Sequence, residues 1–189
     1  VSESAVAAGI RRIEAITGEA VGKFIDEQLT TIQQITELTK GTDIVKSIGS
    51  LVEENSTLKK EIEKYQLMQL NQIKNDLLAK KETFGDVQVI RAIIDLPNAD
   101  LIKKLAYELR NETTNLFCVL GAEIQSKASL TIMISDELVA AKNMDASKLI
   151  RELGKEIEGG GGGQKFFATA GGKKPEGLQK VLELSVAGL

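Results

Sequence analysis

Apolar side chains at Val21, Ile25, Leu29, Ile32, Ile35 and Leu38 recur at steps of four and three, and this spacing constrains the chain more than any other feature. Only an amphipathic helix gathers such residues on one face. Gly41 predicts its end, Thr42-Asp43 offers an N-cap, and a second helix is expected to run to about Thr83. The second stripe comprises Ile44, Ile48, Leu51, Leu58, Ile62 and Tyr65. It continues through Leu70, Ile73 and Leu77 after a slip in the count of the coiled-coil stutter kind. Asn55 and Gln69 fall at seam-like positions, where polar residues fix register at some cost in stability. Proline occurs only at Pro97 and Pro175, so nothing earlier forces a helix to break. Two narrow stripes need partners, so the expectation is an antiparallel helical hairpin, a coiled-coil-like stalk packed on itself, on a second chain, or on both. A helix of about 40 residues reaches about 60 Å at 1.5 Å per residue, which suits a spacer.

The flanks read differently. Ahead of the stalk, Ala7-Ala8-Gly9-Ile10-Arg11-Arg12-Ile13-Glu14-Ala15-Ile16 fits an edge strand or the start of a helix, with Thr17-Gly18 as a stop and Arg12 and Glu14 as packing or ion-pairing groups. Beyond Gly85-Asp86, Val87 to Ile94 predicts a strand, and Asn98-Ala99-Asp100 caps a helix from Leu101 to about Arg110. Leu116 to Ala122 and Ala128 to Ile134 predict a hairpin across Gln125-Ser126-Lys127. Asp145-Ala146-Ser147 caps a helix carrying Leu149, Ile150, Leu153 and Ile157, which Gly159 to Gly163 end. A short strand Phe166 to Ala170, a Gly171-Gly172 turn, and a helix from near Pro175 with Leu178, Val181, Leu182 and Val186 complete the order β-α-β-β-α-β-α. The fold class is therefore α+β or α/β: a helical stalk followed by a small mixed-sheet domain.

Composition removes whole classes of chemistry. There is no histidine, which excludes imidazole acid–base catalysis, Ser-His triads and His-built zinc sites. The lone Cys118 lies in an apolar run and reads as a buried thiol, consistent with a reducing cytoplasm. No apolar run approaches the roughly 20 residues of a membrane span, and no basic-then-apolar leader is present, so a soluble chain without a membrane partner is expected. The chain begins at Val1-Ser2-Glu3-Ser4, without Met, and reads as a piece of something longer. A net charge of −3 confines any nucleic-acid contact to a local surface.

That surface is sought at Gly159 to Lys174. Glycines let a backbone approach a ligand closely and let successive N–H groups line a concave anion site, while Lys165, Lys173 and Lys174 add positive charge. From Gly159 to the end, four lysines against two glutamates leave a local charge of +2. A nucleotide phosphate loop fails on spacing, because Gly163 is followed by Gln164 and Lys165 with no Ser or Thr after the lysine. A flexible linker is the plain alternative.

The glycine run, the short strand and Ala170-Gly171-Gly172 together resemble the end of alanyl-tRNA synthetases. This small domain is shared with DHH-type phosphoesterases, in which the glycines usually precede a histidine; Gln164 or Lys165 stands in its place here. Independently, Glu3 to Gly18 resembles the segment closing the editing domain of the same synthetases. The resemblance implies three parts: a tail of the editing domain over residues 1–18, a stalk over 19–84, and a C-terminal tRNA-binding domain over 85–189. It also implies a cytoplasmic homodimer that binds the elbow of alanine-specific tRNA in support of aminoacylation and editing. ATP, Mg and Zn are implied for the full-length parent, with no cofactor, metal or catalytic residue in this fragment. The implied RNA-binding set is Gly160, Gly161, Gly162, Gly163, Gln164, Lys165, Phe166, Lys173 and Lys174. Phe166 or Phe167 would supply a stacking face, strand alternation burying one of the two, and Lys103, Lys104 and Arg110 would extend the basic surface or form an ordinary solvated face. A purely structural dimerisation module, or the nucleic-acid-binding domain of a phosphoesterase, are the alternatives.

Overall fold

The computed structural model describes residues 1–41 and 43–187. Thr42, the first residue of the expected cap, lies outside them. The chain divides into two units, Val1–Ile62 and Glu63–Leu189.

In the first unit the segment left open between strand and helix is a hairpin. Strands β1 (Ser2–Ala7) and β2 (Ile10–Glu14) pair antiparallel. Gly9 takes the turn at φ +77, where a side chain would be strained. Arg11 pairs with Glu3 at 2.7 Å, and Arg12 pairs with Glu14. Helix α1 (Glu19–Thr39) ends at Lys40, which is left-handed and returns its N–H to the Thr36 carbonyl at 2.9 Å. Four threonine hydroxyls, those of Thr30, Thr31, Thr36 and Thr39, donate to carbonyls one turn back. Helix α2 (Ile44–Ala79) is capped by Asp43, whose carboxylate accepts from the Lys46 N–H at 3.0 Å, and it runs on into the second unit.

Among the described residues the two helices do not bury the shared seam expected of an antiparallel hairpin. No residue of α1 is buried, Ile32 is 49% exposed and Leu38 82%, and in α2 burial begins only at Leu70. A stripe one or two side chains wide specifies a helical face without supplying the second layer that would cover it. The second helix also stops short of Thr83, because β3 (Glu82–Phe84) pairs with β4 (Val87–Ile93).

The second unit is a six-stranded mixed sheet in the order β3-β4-β5-β6-β8-β7, where β5 is Leu116–Ile124, β6 Lys127–Ile134, β7 Gly159–Gly163 and β8 Phe167–Gly172. Only β4 and β5 are parallel, and helix α3 (Ala99–Glu112) connects them. The Asn98 side chain caps α3, accepting from the Leu101 N–H at 2.9 Å. Gln125 and Ser126, both at positive φ, make the two-residue turn between β5 and β6. Side-chain alternation divides the core. Val119, Leu130, Ile132 and Ile134 face α5 (Ala146–Leu153) and α6 (Gly177–Leu184), whereas Cys118, Leu120 and Met133 face α3 and the end of α2. Burial raises the pKa of the Cys118 thiol and leaves it an inert core group. Lys74 of α2 ties to Glu112 at 2.8 Å and Glu108 at 3.2 Å on α3, and these carboxylates raise its pKa.

The element order differs from the expected one in three places. β3 precedes β4, helix α4 (Asp136–Lys142) follows β6, and the glycines form β7 after a 3-10 turn over Gly154–Ile157. Gly171 and Gly172 lie within β8 instead of turning, and Val186 falls beyond α6 in a terminal turn.

Candidate nucleic-acid interface

The pentaglycine is an edge strand, which corrects the concave N–H nest expected from its composition. The Gln164 N–H donates to the Phe167 carbonyl at 2.8 Å, closing the β7–β8 hairpin. Antiparallel alternation then turns the peptide groups of Gly160 and Gly162 toward β8 and those of Gly159, Gly161 and Gly163 toward the free edge. A nest needs consecutive N–H groups on one side, and an extended strand alternates them.

Glycine is required there by packing. A Cβ on Gly161 would lie 2.2 Å from the Thr169 carbonyl oxygen and 2.5 Å from the Ala170 Cβ, and Gly159 and Gly163 meet comparable backbone clashes with β8. Gly160 and Gly162 face open space. Their neighbours across the sheet are Gly171 and Thr169 on β8, then Ser129 and Thr131 on β6. Ala168 and Ala170, between them in sequence, turn to the opposite face and join the core under α5 and α6. The outcome over Gly160, Gly162, Thr169 and Gly171 is a strip of exposed sheet with little side-chain bulk, which ends where Thr131 of β6 is buried.

One side of this strip is lined by aromatic and cationic groups. Phe167 packs on Tyr107 of α3 with ring centroids 5.6 Å apart, and the Lys103 Nζ lies 5.9 Å from the Phe167 ring. The Arg110 guanidinium stands 5.1 Å from the Phe166 ring and pairs with Asp136. Both phenylalanines are half-buried, correcting the expectation that alternation buries one of them. Phe166 lies in the bend before β8, where its carbonyl accepts from the Ile134 N–H at 2.8 Å, so strand alternation does not govern it.

The lysines do not form one cluster. Lys165 sits at the hairpin tip, held by its carbonyl, which accepts from the Ala146 N–H at 2.8 Å. Lys173 and Lys174 follow β8 at the opposite end, roughly 15 Å away along a five-residue strand. Lys173 is exposed and borders, with Lys127 and Glu158, a depression of about 340 Å3 floored by Gly159, Gly160, Gly171 and Gly172. Lys174 lies 4.0 Å from Glu158, which offsets part of its charge. Lys104 is exposed on α3. Gln164 is exposed beside Lys165. Tyr107, Lys127, Thr169 and Gly171 border the candidate strip without having been singled out in the sequence as contacts, whereas Thr131 is buried. Only the Thr-Ala-Gly alternation of β8 carried a signal for Thr169 and Gly171. At the far side, the Glu137 carboxyl is held below the usual range by its own N–H, the Ser135 hydroxyl and Arg110. Among the described residues no three His, Cys, Asp or Glu side chains gather as metal ligands, and no helix is long and apolar enough to cross a membrane.

The DHHA1 domain model matches residues 86–186. Alanine–tRNA ligase of Cytophaga hutchinsonii is 49% identical over 97% of this chain, and that of Christiangramia forsetii is 47% identical over 96%; the chain spans 21% of the length of each. The C-Ala domain from Aquifex aeolicus alanyl-tRNA synthetase superposes with a TM-score of 0.51 at 28% identity, covering 56% of this chain and 94% of that one. A glycine edge strand beside an α3-lined sheet face thus lies within the matched region, and the chain belongs to the DHHA1 domain family, as a homologue of the C-terminal part of alanyl-tRNA synthetases.

Proposed function

We propose that this chain is the tRNA-gripping part of an alanine–tRNA ligase and performs no chemistry itself. The observation that carries the reading is the bare strip over Gly160, Gly162, Thr169 and Gly171, with cations at both ends and aromatics along one side. A sugar–phosphate backbone can lie close to peptide groups only where side chains are missing, and lysines at either end add phosphate attraction. Half-buried Phe166 and Phe167, each with a cation against its ring, offer faces for an unpaired base of the kind that the tRNA elbow presents. Gly160 to Lys165, Phe166, Lys173 and Lys174 are the proposed contact set, with Lys103 and Lys127 added. The division into an editing-domain tail over 1–18, a stalk over 19–84 and a binding domain over 85–189, and the cytoplasmic setting, follow from the same reading. ATP, Mg and Zn would serve the parent enzyme outside this segment.

The exposed stripes of α1 and α2 favour a second, compatible role. Ile32, Leu51, Leu58 and Ile62 are all open to solvent, and a second copy would cover them as a homodimer. Replacing Lys165, Lys173 and Lys174 together by Ala tests the main proposal. tRNA affinity should fall, and the slope of log affinity against log salt should flatten by about one for each phosphate that a lysine no longer neutralises. Unchanged affinity and slope would refute it.

A further inference from the structure

Strand β4 carries an edge that the sheet leaves half open. β3 pairs with β4 only from Val87 to Val89. The Gln88 N–H donates to the Asn115 carbonyl just ahead of β5 at 2.9 Å, and the Ile94 N–H to the Gly121 carbonyl within it at 2.8 Å. Residues 88, 90, 92 and 94 therefore turn their main chain toward β5. Arg91 and Ile93 turn theirs the other way, past the end of β3, so that each directs an N–H and a C=O toward no strand.

Helix α2 runs alongside. Ile73, Asp76, Leu77 and Lys80 wall a groove of about 470 Å3 whose other side is Ile90 to Asp95. On the groove side of β4, the small Ala92 stands between Ile90 and Ile94 and leaves a slot above Ile73 and Leu77. The charge there is acidic. Asp76 and Asp95 are exposed and belong to no ion pair among the described residues, whereas Arg91 is matched by Glu82 at 3.1 Å, which leaves Lys80 as the opposing cation at one end.

We propose that this groove takes an extended peptide segment, with a basic residue at its leading end and an acidic one at its trailing end, as an added strand antiparallel to β4. The residues opposite Arg91 and Ile93 each exchange both main-chain hydrogen bonds with them. The residue opposite Ala92 points an apolar side chain into the slot. A basic residue two positions earlier, opposite Ile94, meets the acidic end at Asp95, and an acidic residue opposite Ile90 lies beside Lys80. Phosphate is repelled by the carboxylates that attract this segment, so the groove selects a peptide over an RNA strand.

The test is fluorescence anisotropy of a labelled synthetic peptide carrying Lys-Val-Leu-Thr-Glu, titrated with the whole chain, with a scrambled peptide as control. Ile93→Pro removes one outward donor at an unpaired edge, where proline is tolerated, and should weaken binding at least about tenfold. Joint Asp76→Lys and Asp95→Lys substitution, on exposed side chains, should weaken it comparably and keeps the test decisive if the proline variant does not fold. Bound peptide should also slow hydrogen exchange at the Arg91 and Ile93 amides, and tRNA should not displace it. Absence of binding, equal binding of the scrambled peptide, indifference to the lysine pair, or displacement by tRNA would each overturn the proposal. So would a change of oligomeric state in Ile93→Pro without peptide binding, which would assign the edge to a second copy.

Discussion

Residues 1–62 and 63–189 hold their apolar side chains in opposite ways. Ile32 of α1 is 49% exposed, whereas Ile132 of β6 is fully buried between β5, β8 and the helices on one face of the sheet. Both belong to strictly periodic patterns. Periodicity specifies which face of an element is apolar, and burial needs a second layer brought by the topology. The sheet domain supplies its own layers, with α5 and α6 on one face and α3 with the end of α2 on the other. In the first unit the stripes stay uncovered.

The same substitution made on each side of this divide should have very different costs. Ile132→Ala should cost about 2–5 kcal/mol in denaturant unfolding, while Ile32→Ala should stay within about 0.5 kcal/mol for the isolated chain. A cost above about 1 kcal/mol for Ile32→Ala that grows with protein concentration would break the contrast and place the stripe in a dimer contact.

A finer version of the contrast lies within five residues. Gly161→Ala forces a Cβ against the Thr169 carbonyl and should lower stability by about 1–3 kcal/mol. Gly160→Ala meets nothing within 4 Å and should be nearly neutral to folding, yet it adds bulk to the proposed RNA strip and should weaken tRNA binding. Thermal melts and tRNA titrations on the pair separate packing from recognition.

The smallest effect concerns pH. Glu112 and Glu108 raise the Lys74 pKa, so the folded state favours charged Lys74. That contribution is complete below the unfolded lysine value of about 10.4 and fades as pH rises through the higher folded one. Lys74→Met should therefore flatten the loss of stability on the alkaline side and leave the acid side unchanged in direction, as chemical melts at stepped pH would report.

How much of this was legible in the sequence follows the same physics. Asn98 and Asp145 announced their helices because capping is local: Asp145 accepts from the Ser147 and Lys148 N–H groups, and bonding to Ser147 holds its carboxyl low. Gln125-Ser126 announced the β5–β6 turn for a similar reason. The glycine strand was illegible because glycine has no side-chain period and its intrinsic preference favours loops; pairing with β8 imposes the extended form. β3 was hidden for a related reason. Its three residues pair only with β4, and nothing local distinguishes them from the end of a helix. The candidate strip was legible only in part. Glycines and lysines pointed to the hairpin, but only the sheet brings Thr169 and Tyr107 beside it.

A paired titration decides whether the bare strip grips the tRNA elbow as proposed. The whole chain is titrated with intact alanine-specific tRNA and with an acceptor minihelix lacking the elbow, at matched salt. Intact tRNA should bind at least about tenfold tighter than the minihelix, an advantage that Gly160→Ala reduces. Equal affinity for the two RNAs would contradict it.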